Sequence, residues 1–418
     1  MQKIKSSIHL ILLFLFWLIA RPLAKRLRGA NAQSNSVILV TSEVHTLIGA
    51  RGDEAMTRAI IAELNDAIAN VQIHASTATT VAADTARAMG LVPFDVWSGA
   101  RMPFAFLADL RRLRPSRGVL IGADVMDGYY SPVESLRRVI AADLLAKSGA
   151  STAFTGFSMN DSPSPWLRQA FRMLDKDVVV NLRDPLSHKR FEAFTGVQAH
   201  EVADVAFLLK PSGASDACMS AVAWVQQQRQ SGRCVIALNF HPMLFDVSTR
   251  NAGVARLHKA LLVCMQRATS AQDVSWLLLP HDDRDGIGDV VPLVGLHAAL
   301  SEPQRDRVHL VESPPPAAAI KELAGLCDGV ITGRMHLAIA ALGGGVPVLA
   351  LAYQAKFAGL MQWFQLPDWL LLDPVKVSDE AILWPSVQRF VAERAALRET
   401  VLARLPDVKR AAHANFEA

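Results

Sequence analysis

Two apolar patterns alternate along most of the chain. Ser36 to Ser42 (SVILVTS) is a short, continuous apolar run rich in β-branched residues, and Gly49, Gly52 and Asp53 punctuate the loop after it. From Glu54 to Ala67 the apolar residues Ala55, Ile60, Ile61 and Leu64 recur at helical spacing. The same succession of strand, glycine loop and helix then returns. Val71–His74, Gly118–Ile121, Thr152–Phe157 and Asp177–Asn181 read as strands, with helical stretches at 132–148 and 165–174. Lys210 to Asp216 (KPSGASD) breaks the pattern with Pro, Gly and Ser after the apolar run Val205–Leu209. Beyond it the alternation restarts, with strands at Cys234–Asn239, Ser275–Leu279, Val308–Val311, Gly329–Thr332 and Val346–Ala352. Helical stretches at 251–269, 289–300, 317–327 and 335–342 separate them. Such alternation predicts α/β architecture, with parallel sheets covered by helices on both faces. The break divides it into two doubly wound, Rossmann-like domains, 36–212 and 213–418. A pair of such domains is expected to bind ligands in the cleft at the strand C-termini.

One segment stands outside this alternation. Ile8 to Ala20 (IHLILLFLFWLIA) is apolar except for His9. As a helix it reaches about 20 Å, whereas a bilayer core takes roughly 20 apolar residues to cross. Lys3 and Lys5 precede it, Arg21, Lys25, Arg26 and Arg28 follow, and residues 1–30 hold no acid. The net charge of +4 is therefore local: without those six residues the chain has 37 basic against 39 acidic residues. Charge thus excludes the body as a nucleic-acid binder. Three readings compete for residues 1–32: an export signal cleaved near Ala30-Asn31-Ala32, a short tilted span, or a helix lying in the cytoplasmic leaflet. A basic stretch between apolar run and cleavage-like triplet counts against the first, and basic flanks on both sides count against the second. The expectation is a membrane-associating segment bent at Arg21-Pro22, with Lys and Arg on anionic headgroups. Arg111, Arg112, Arg114 and Arg117 form a second basic cluster, either a solvated face or a further membrane contact. Cys218, Cys234, Cys264 and Cys327 match no zinc or redox spacing and read as reduced core thiols of a cytosolic protein.

Candidate chemistry concentrates between Gly329 and Lys356. A strand ends at Thr332-Gly333 and a helix begins within a residue or two, and the N–H groups of a helix start suit an anion. Arg334 offers a planar fork for carboxylate or phosphate, and His336 a proton near neutral pH. Gly343-Gly344-Gly345 and Pro347 return the chain to an apolar strand, and Lys356 falls just past its end, on the same sheet edge. Alone, Arg334 reads as a surface ion pair and His336 as a capping or core imidazole; together with the junction, the glycines and Lys356 they point to a site. His281-Asp282-Asp283-Arg284-Asp285 follows another strand and reads as acceptor contacts, a cation site or a solvated loop. Its spacing fits no defined metal motif, so no metal is expected. Asp53 is most simply the N-cap of its helix. Arg183-Asp184 is either an anion clamp or a salt bridge ordering a loop.

Residues 333–357, GRMHLAIAALGGGVPVLALAYQAKF, closely resemble the C-terminal signature of the polysaccharide pyruvyl transferases. That signature is Arg-x-His, a small-residue helix, a glycine-proline return and Tyr-x-x-Lys, here ending Tyr353 to Lys356. Gly52-Asp53-Glu54-Ala55 resembles the family's N-terminal helix start, and Asn181 to Ser187 is similar to its strand-Arg-Asp-x-x-Ser element. Asp204 sits in a V-A-D-V-A-F stretch like the one that closes the first domain, and the likeness runs from about Val37 to Phe364. It departs at Gly122-Ala123-Asp124, where the family shows a glycine run, and the N-terminal segment lies outside it. The resemblance implies a glycosyltransferase-B-like fold with its site in the interdomain cleft. It also implies a cofactor-free enzyme that takes phosphoenolpyruvate as co-substrate and moves its pyruvyl group onto sugar hydroxyls of a cell-envelope polysaccharide or lipid-linked precursor. Under it His336, with Arg334, carries the catalysis, and Arg183, Lys356 and Gly333 hold the donor. Asp53, Glu54, His281 and Asp283 then line the acceptor side or cleft. Because phosphoenolpyruvate is cytosolic, the cytoplasmic face of the membrane is the expected location. Two rivals remain: a nucleotide-sugar glycosyltransferase of the same fold, for which a C-terminal ribose-binding acid is missing, and an inactive glycan-binding envelope protein, against which Arg334, His336 and Lys356 argue.

Overall fold

The computed structural model describes residues 2–29, 34–97, 99–212, 216–352 and 356–417, without the side chains of 2–6, 216, 217 and 303. The triplet Ala30-Asn31-Ala32, residues 213–215 of the expected linker and Tyr353 lie outside the described residues. The chain divides into two compact units. The first comprises Met1–Gly49, Met56–Val205 and Arg410–Ala418; the second comprises Ala50–Ala55 and Ala206–Lys409. The expected boundary at 212/213 therefore falls a few residues late, and two short pieces change sides. Residues 1–32, expected as a separate segment, count with the first unit.

The first unit is built on a seven-stranded sheet: β1 Ser36–Val40, β2 Gln72–Thr77, β3 Val92–Asp95, β4 Arg117–Leu120, β5 Ser151–Phe157, β6 Val178–Leu182 and β7 His200–Glu201. All pairings are parallel, in the order β3-β2-β1-β4-β5-β6-β7. The family-like glycine position survives as geometry. A Cβ on Gly122 would lie 2.8 Å from the Thr155 carbonyl oxygen, so glycine is needed there, and Ala123 adopts the left-handed φ of 45° that glycine usually supplies.

The N-terminal helix, Gln2–Lys25, is an integral layer of this unit. Leu10, Leu13, Trp17, Ala20 and Ala24 are buried in the same apolar core as helix Pro132–Lys147 and strands β1, β4, β5 and β6. Trp17 Nε1 donates to Asp143 Oδ2 at 2.7 Å, and Arg21 Nε donates to the same oxygen at 2.9 Å. Burial pushes the Asp143 carboxyl's pKa up, and Arg21 and Trp17 oppose that push. The helix was legible as apolar, but nothing in its composition shows that a protein core takes one face of it.

The second unit carries β8 Cys234–Asn239, β9 Val274–Leu278, β10 Val308–Leu310, β11 Gly329–Thr332, β12 Val348–Leu351 and β13 Leu371–Leu372. These too are all parallel, ordered β10-β9-β8-β11-β12-β13. Strands β8, β9, β11 and β12 are buried along their whole length, which is why they read as unbroken apolar runs. From β8 the chain moves outward to β9 and β10, and from β11 it moves the other way to β12 and β13. The switch point therefore lies at the C-terminal ends of β8 and β11, where open α/β sheets bind ligands. The four cysteines are buried and free, and burial pushes the Cys234 thiol up to about 11 and Cys264 up to about 12.

Candidate functional site

The ends of three neighbouring strands supply the polar residues at the second unit's switch point. Asn239 ends β8 and His241 follows it, His281 follows β9, and Thr332 ends β11 with Gly333 and Arg334 after it. Thr332 pairs with Asn239 across the sheet, and the Thr332 hydroxyl donates to Asn239 Oδ1 at 3.2 Å. That hydroxyl also accepts the Arg334 N–H at 2.9 Å, which turns the chain out of the strand. Arg334 is the N-cap of helix Met335–Gly343, with φ −94° and ψ 116°, so His336 stands at the second helical position, beside the free N–H groups. A Cβ on Gly333 would lie 2.7 Å from Leu244 Cδ2 and 3.0 Å from His241 Nε2, so a larger residue would push both side chains aside.

Gly-Asp-Glu-Ala meets this helix from the other end of the sequence. The helix Arg51–Ala67 begins two residues before Asp53, which corrects the N-cap reading. Asp53 sits in the first turn, and its carboxylate reaches back to accept the Ala50 N–H at 2.9 Å, half of a capping box. Glu54 is buried, accepts the Ala317 N–H at 3.2 Å and pairs with Arg51 at 3.0 Å. A glutamate from residue 54 thus caps helix Ala317–Leu326. Arg51 also donates to the Pro314 carbonyl at 2.8 Å, in the proline run that opens that helix. Gly52 is the seat of His336: a Cβ there would lie 2.9 Å from His336 Cε1 and closer still to Cγ and Nδ1. Gly52, Asp53 and Glu54 therefore each have a structural task, and the shortest of them keeps a side chain out of the imidazole's place.

Arg334 is committed to the loop after β9. Its Nη1 pairs with Asp282 Oδ2 at 3.0 Å, Nη2 donates to the Ile287 carbonyl at 2.7 Å, and Nε lies 3.4 Å from Asp289 Oδ2. Asp289 is the buried hub of that loop. It accepts the N–H groups of His281 at 3.1 Å and Asp282 at 2.7 Å, together with the Asn239 amide. Burial raises the Asp289 pKa against the pull of Arg334. Burial also works to raise Asp282, but its hydrogen bond from Arg284 and the Arg334 charge prevail and hold it below the usual range. Of the sequence run 281–285, His281 and Asp282 are buried, whereas Asp283 and Asp285 are exposed. Among the described residues no group of three or more His, Cys, Asp or Glu side chains is placed to hold a metal ion.

His281 and His336 line a small, open recess together with Arg51, Lys321, Ala55, Ile339 and Ala340. The recess is electropositive. Burial pushes the His281 imidazole well below its usual pKa, and the charges of His336, Arg334, Arg51 and His241 push the same way. Lys321 is buried with its amine on the carbonyl oxygens of Phe207 at 2.8 Å and Ala206 at 3.4 Å, and burial brings it down to about 7. Sequence reading missed Lys321, whose helical context made it one charge among many; only its position on the buried face, four residues after Ala317, hinted otherwise.

The remaining expected residues are placed as follows. Lys356 is the first residue of helix Lys356–Trp363, beyond the C-terminal end of β12. Arg183 follows β6 in the first unit, where its Nη1 pairs with Asp204 Oδ2 at 2.9 Å and its Nε donates to Ser158 at 2.7 Å. Both partners are 2 % exposed. Asp184 caps helix Pro185–Thr195 through the Ser187 N–H at 2.7 Å, and Arg183 is engaged by Asp204 and not by its neighbour Asp184. Two pieces of the sequence resemblance thus hold one another.

Comparison with known proteins gives two kinds of likeness. A family model described as polysaccharide pyruvyl transferase matches residues 51–355, starting at the Arg51 that holds Glu54 and stopping one residue short of Lys356. No curated protein matches the chain. Among solved structures, one described as a candidate UDP-N-acetylglucosamine 2-epimerase from Listeria monocytogenes is similar with a TM-score of 0.60 and 10% identity, covering 91% of this chain and 94% of that one. The UDP-GlcNAc 2-epimerase from Neisseria meningitidis, bound to UDP-GlcNAc, has a TM-score of 0.57 and 12% identity, covering 91% of this chain and 98% of that chain. A glycosyltransferase from Rickettsia africae has a TM-score of 0.55 and 11% identity, covering 92% of this chain and 99% of that chain. At such identities the likeness is one of fold, and the fold is the glycosyltransferase-B type.

Proposed function

The chain belongs to the polysaccharide pyruvyl transferase family, and from that premise we propose that it transfers the pyruvyl group of phosphoenolpyruvate to two hydroxyls of a saccharide acceptor, forming a cyclic ketal. In this reaction a proton adds to the donor's methylene carbon and makes it a methyl group, leaving the adjacent carbon electrophilic. One sugar hydroxyl adds to that carbon and loses its proton, and the carbon–oxygen bond to phosphate breaks. The second hydroxyl then closes the ring, so that donor and diol become ketal and inorganic phosphate. A single group that holds and returns a proton serves these steps, and His336 is that group. The observation that carries the reading is the seating of the His336 ring on Gly52, at a helix start, in a recess that also holds Arg51 and Lys321.

The donor's carboxylate and phosphate call for cations and N–H groups. Arg51 and Lys321 at the recess, the N-terminus of helix Met335–Gly343, and Lys356 beyond β12 supply them. Arg334 adds its charge, but its fork also fastens Asp282 and Asp289, so it positions the loop that carries His281. The acceptor is a polysaccharide or its lipid-linked precursor, met by exposed groups such as Asp283.

Phosphate release from phosphoenolpyruvate, measured with and without saccharide acceptors, tests the reading. Acceptor-dependent release is expected; cleavage of a nucleotide sugar, with phosphoenolpyruvate left intact, would replace it by glycosyl transfer. Gly52→Ala is expected to lower turnover far more than stability. The methyl group must displace the His336 ring, and such overpacking costs about 1–3 kcal/mol, which a thermal melt resolves.

Lys321 makes the pH dependence specific. Its ordinary pKa is 10.5 and its folded value about 7, so between these the unfolded chain holds a proton that the folded chain has given up. Its contribution to stability therefore rises as pH climbs through that window. Lys321→Met is expected to raise stability most near neutral pH and to flatten the rise, which denaturant titrations across the window measure. Donor binding should draw the proton back. Calorimetry above neutral pH in two buffers of different ionisation enthalpy should show proton uptake with phosphoenolpyruvate in the wild type and not in Lys321→Met.

A further inference from the structure

The helix Gln2–Lys25 has two apolar faces, and the protein covers one of them. Leu13, Trp17, Ala20 and Ala24 face the core of the first unit. On the other side Ile8, Ile11, Leu15, Leu18, Ile19 and Leu23 are each between 40 and 55% exposed. Their spacing of three and four residues makes one continuous aliphatic stripe along the helix. Single exposed aliphatics are ordinary on a protein surface, whereas a stripe of this length marks an interaction site.

Charge identifies the occupant. The helix runs beside Pro132–Lys147 in the same direction: Arg137 meets His9, Asp143 meets Arg21, and Gly149 meets Arg28. The end of the stripe is therefore brought to the sheet edge where the strands begin, since Gly149 lies two residues before β5. Helix Met102–Leu113 descends from the end of β3 to the start of β4, and Phe104 packs its ring 5.6 Å from Phe16 of the N-terminal helix. Arg111 and Arg114 thus reach the same edge as Lys25, Arg26 and Arg28, and all five are exposed. The acids nearby include Asp177, which pairs with Arg28, Asp175, which pairs with Lys147, and Asp109, which pairs with Arg112. Apolar stripe and basic edge form one surface.

We propose that this surface docks on a bilayer with anionic headgroups, the stripe entering the headgroup–acyl boundary and the basic edge lying against lipid phosphates. The helix is long and apolar enough to span by length and composition, but Trp17 and Arg21 fasten its other face to Asp143 inside the unit. It therefore lies along the membrane as part of the folded body. A second copy of the chain could cover the stripe but would bring like charges to the edge. The inference concerns where the protein sits and does not depend on the transfer reaction.

Co-sedimentation of the full chain with vesicles of phosphatidylcholine, alone or mixed with phosphatidylglycerol, tests it. Binding is expected to the mixed vesicles and to weaken with salt. Exchanging exposed residues together, Ile11→Glu, Leu15→Glu and Leu18→Glu, should abolish binding at an unchanged melting temperature. Lys25→Gln, Arg26→Gln, Arg111→Gln and Arg114→Gln together should remove the preference for anionic lipid. A second readout works on a near-native fold, because the four native cysteines are buried. A polarity-sensitive dye on Leu15→Cys should shift to the blue on mixed vesicles. The same dye on Val81→Cys should not, since helix Thr80–Ala88 joins β2 to β3 and covers the opposite sheet face. Full chain that stays in the supernatant with both vesicles, equal shifts at both positions, or a Leu15→Cys shift that follows protein concentration without lipid would each overturn the proposal, the last in favour of self-association.

Discussion

Replacing His336 by alanine is expected to remove transfer while leaving the fold in place. General acid–base groups contribute about 10²–10⁴-fold, and the reaction begins by protonating carbon. His281 is the nearest imidazole, but burial and the surrounding positive charges keep it neutral and so a poor proton donor. Lys321 is held by two backbone carbonyls. The fold should tolerate the change, because His336 is part-exposed at a helix start and alanine is a good helix former. Single-turnover phosphate release together with a thermal melt separates the two effects. Near-normal release by a folded His336→Ala protein would remove the imidazole from the chemistry. Loss of release with unchanged phosphoenolpyruvate binding, read by calorimetry, would identify it as a proton carrier rather than a donor contact.

The largest expected effect on stability lies in the first unit. Trp17 is fully buried, and Trp17→Ala is expected to cost about 3–5 kcal/mol, the scale of removing a large core aromatic. It also removes one of the groups holding the buried Asp143 carboxylate, and a buried acceptor that loses its donor is penalised further. Denaturant unfolding of Trp17→Ala beside Leu15→Glu makes the contrast: two positions two residues apart, one expected to lower the midpoint steeply and the other to leave it unchanged. Removing residues 1–29 altogether would uncover the partners of Leu13, Trp17 and Ala20 and leave Asp143 without its Trp17 and Arg21 donors. The expectation from sequence, a detachable tail, implies a soluble active remainder; the packing implies a first unit that no longer folds well.

Most strand positions and the doubly wound pattern were legible because buried parallel strands leave unbroken apolar runs with glycine loops between them; β3, β7 and β13, short and partly exposed, were not. The junction at Thr332 to His336 was legible for the same reason: a strand end, a glycine and a helix start fall within five residues. What stayed hidden depends on pairings between distant residues. Asp289 reads as a helix start, yet it gathers the N–H groups of His281 and Asp282 and the Asn239 amide. Arg334 reads as an open fork, yet Asp282 and the Ile287 carbonyl occupy it. Arg183 and Asp204 were each singled out as separate motifs, and no spacing rule joins residues 21 apart into one buried pair. The apolar run at 8–20 resembles a membrane segment because composition registers hydrophobicity without telling which side of a helix a protein covers.

The six residues Ala50–Ala55 bear on how such a chain can be cut and recombined. They are encoded far upstream of the unit they complete. A gene split at the apparent linker would give a C-terminal product without Gly52 as the seat of its histidine and without Glu54 on the Ala317 helix. It would also lack Ala206 and Phe207, whose carbonyls hold Lys321. A chimera that exchanges C-terminal halves between relatives inherits an imidazole from one parent and its glycine seat from the other. Co-inheritance of Gly-Asp-Glu-Ala with Arg-x-His is therefore a stricter condition for a working hybrid than the position of the crossover, and an insertion before Ala50 should be better tolerated than one between Arg51 and Ala55.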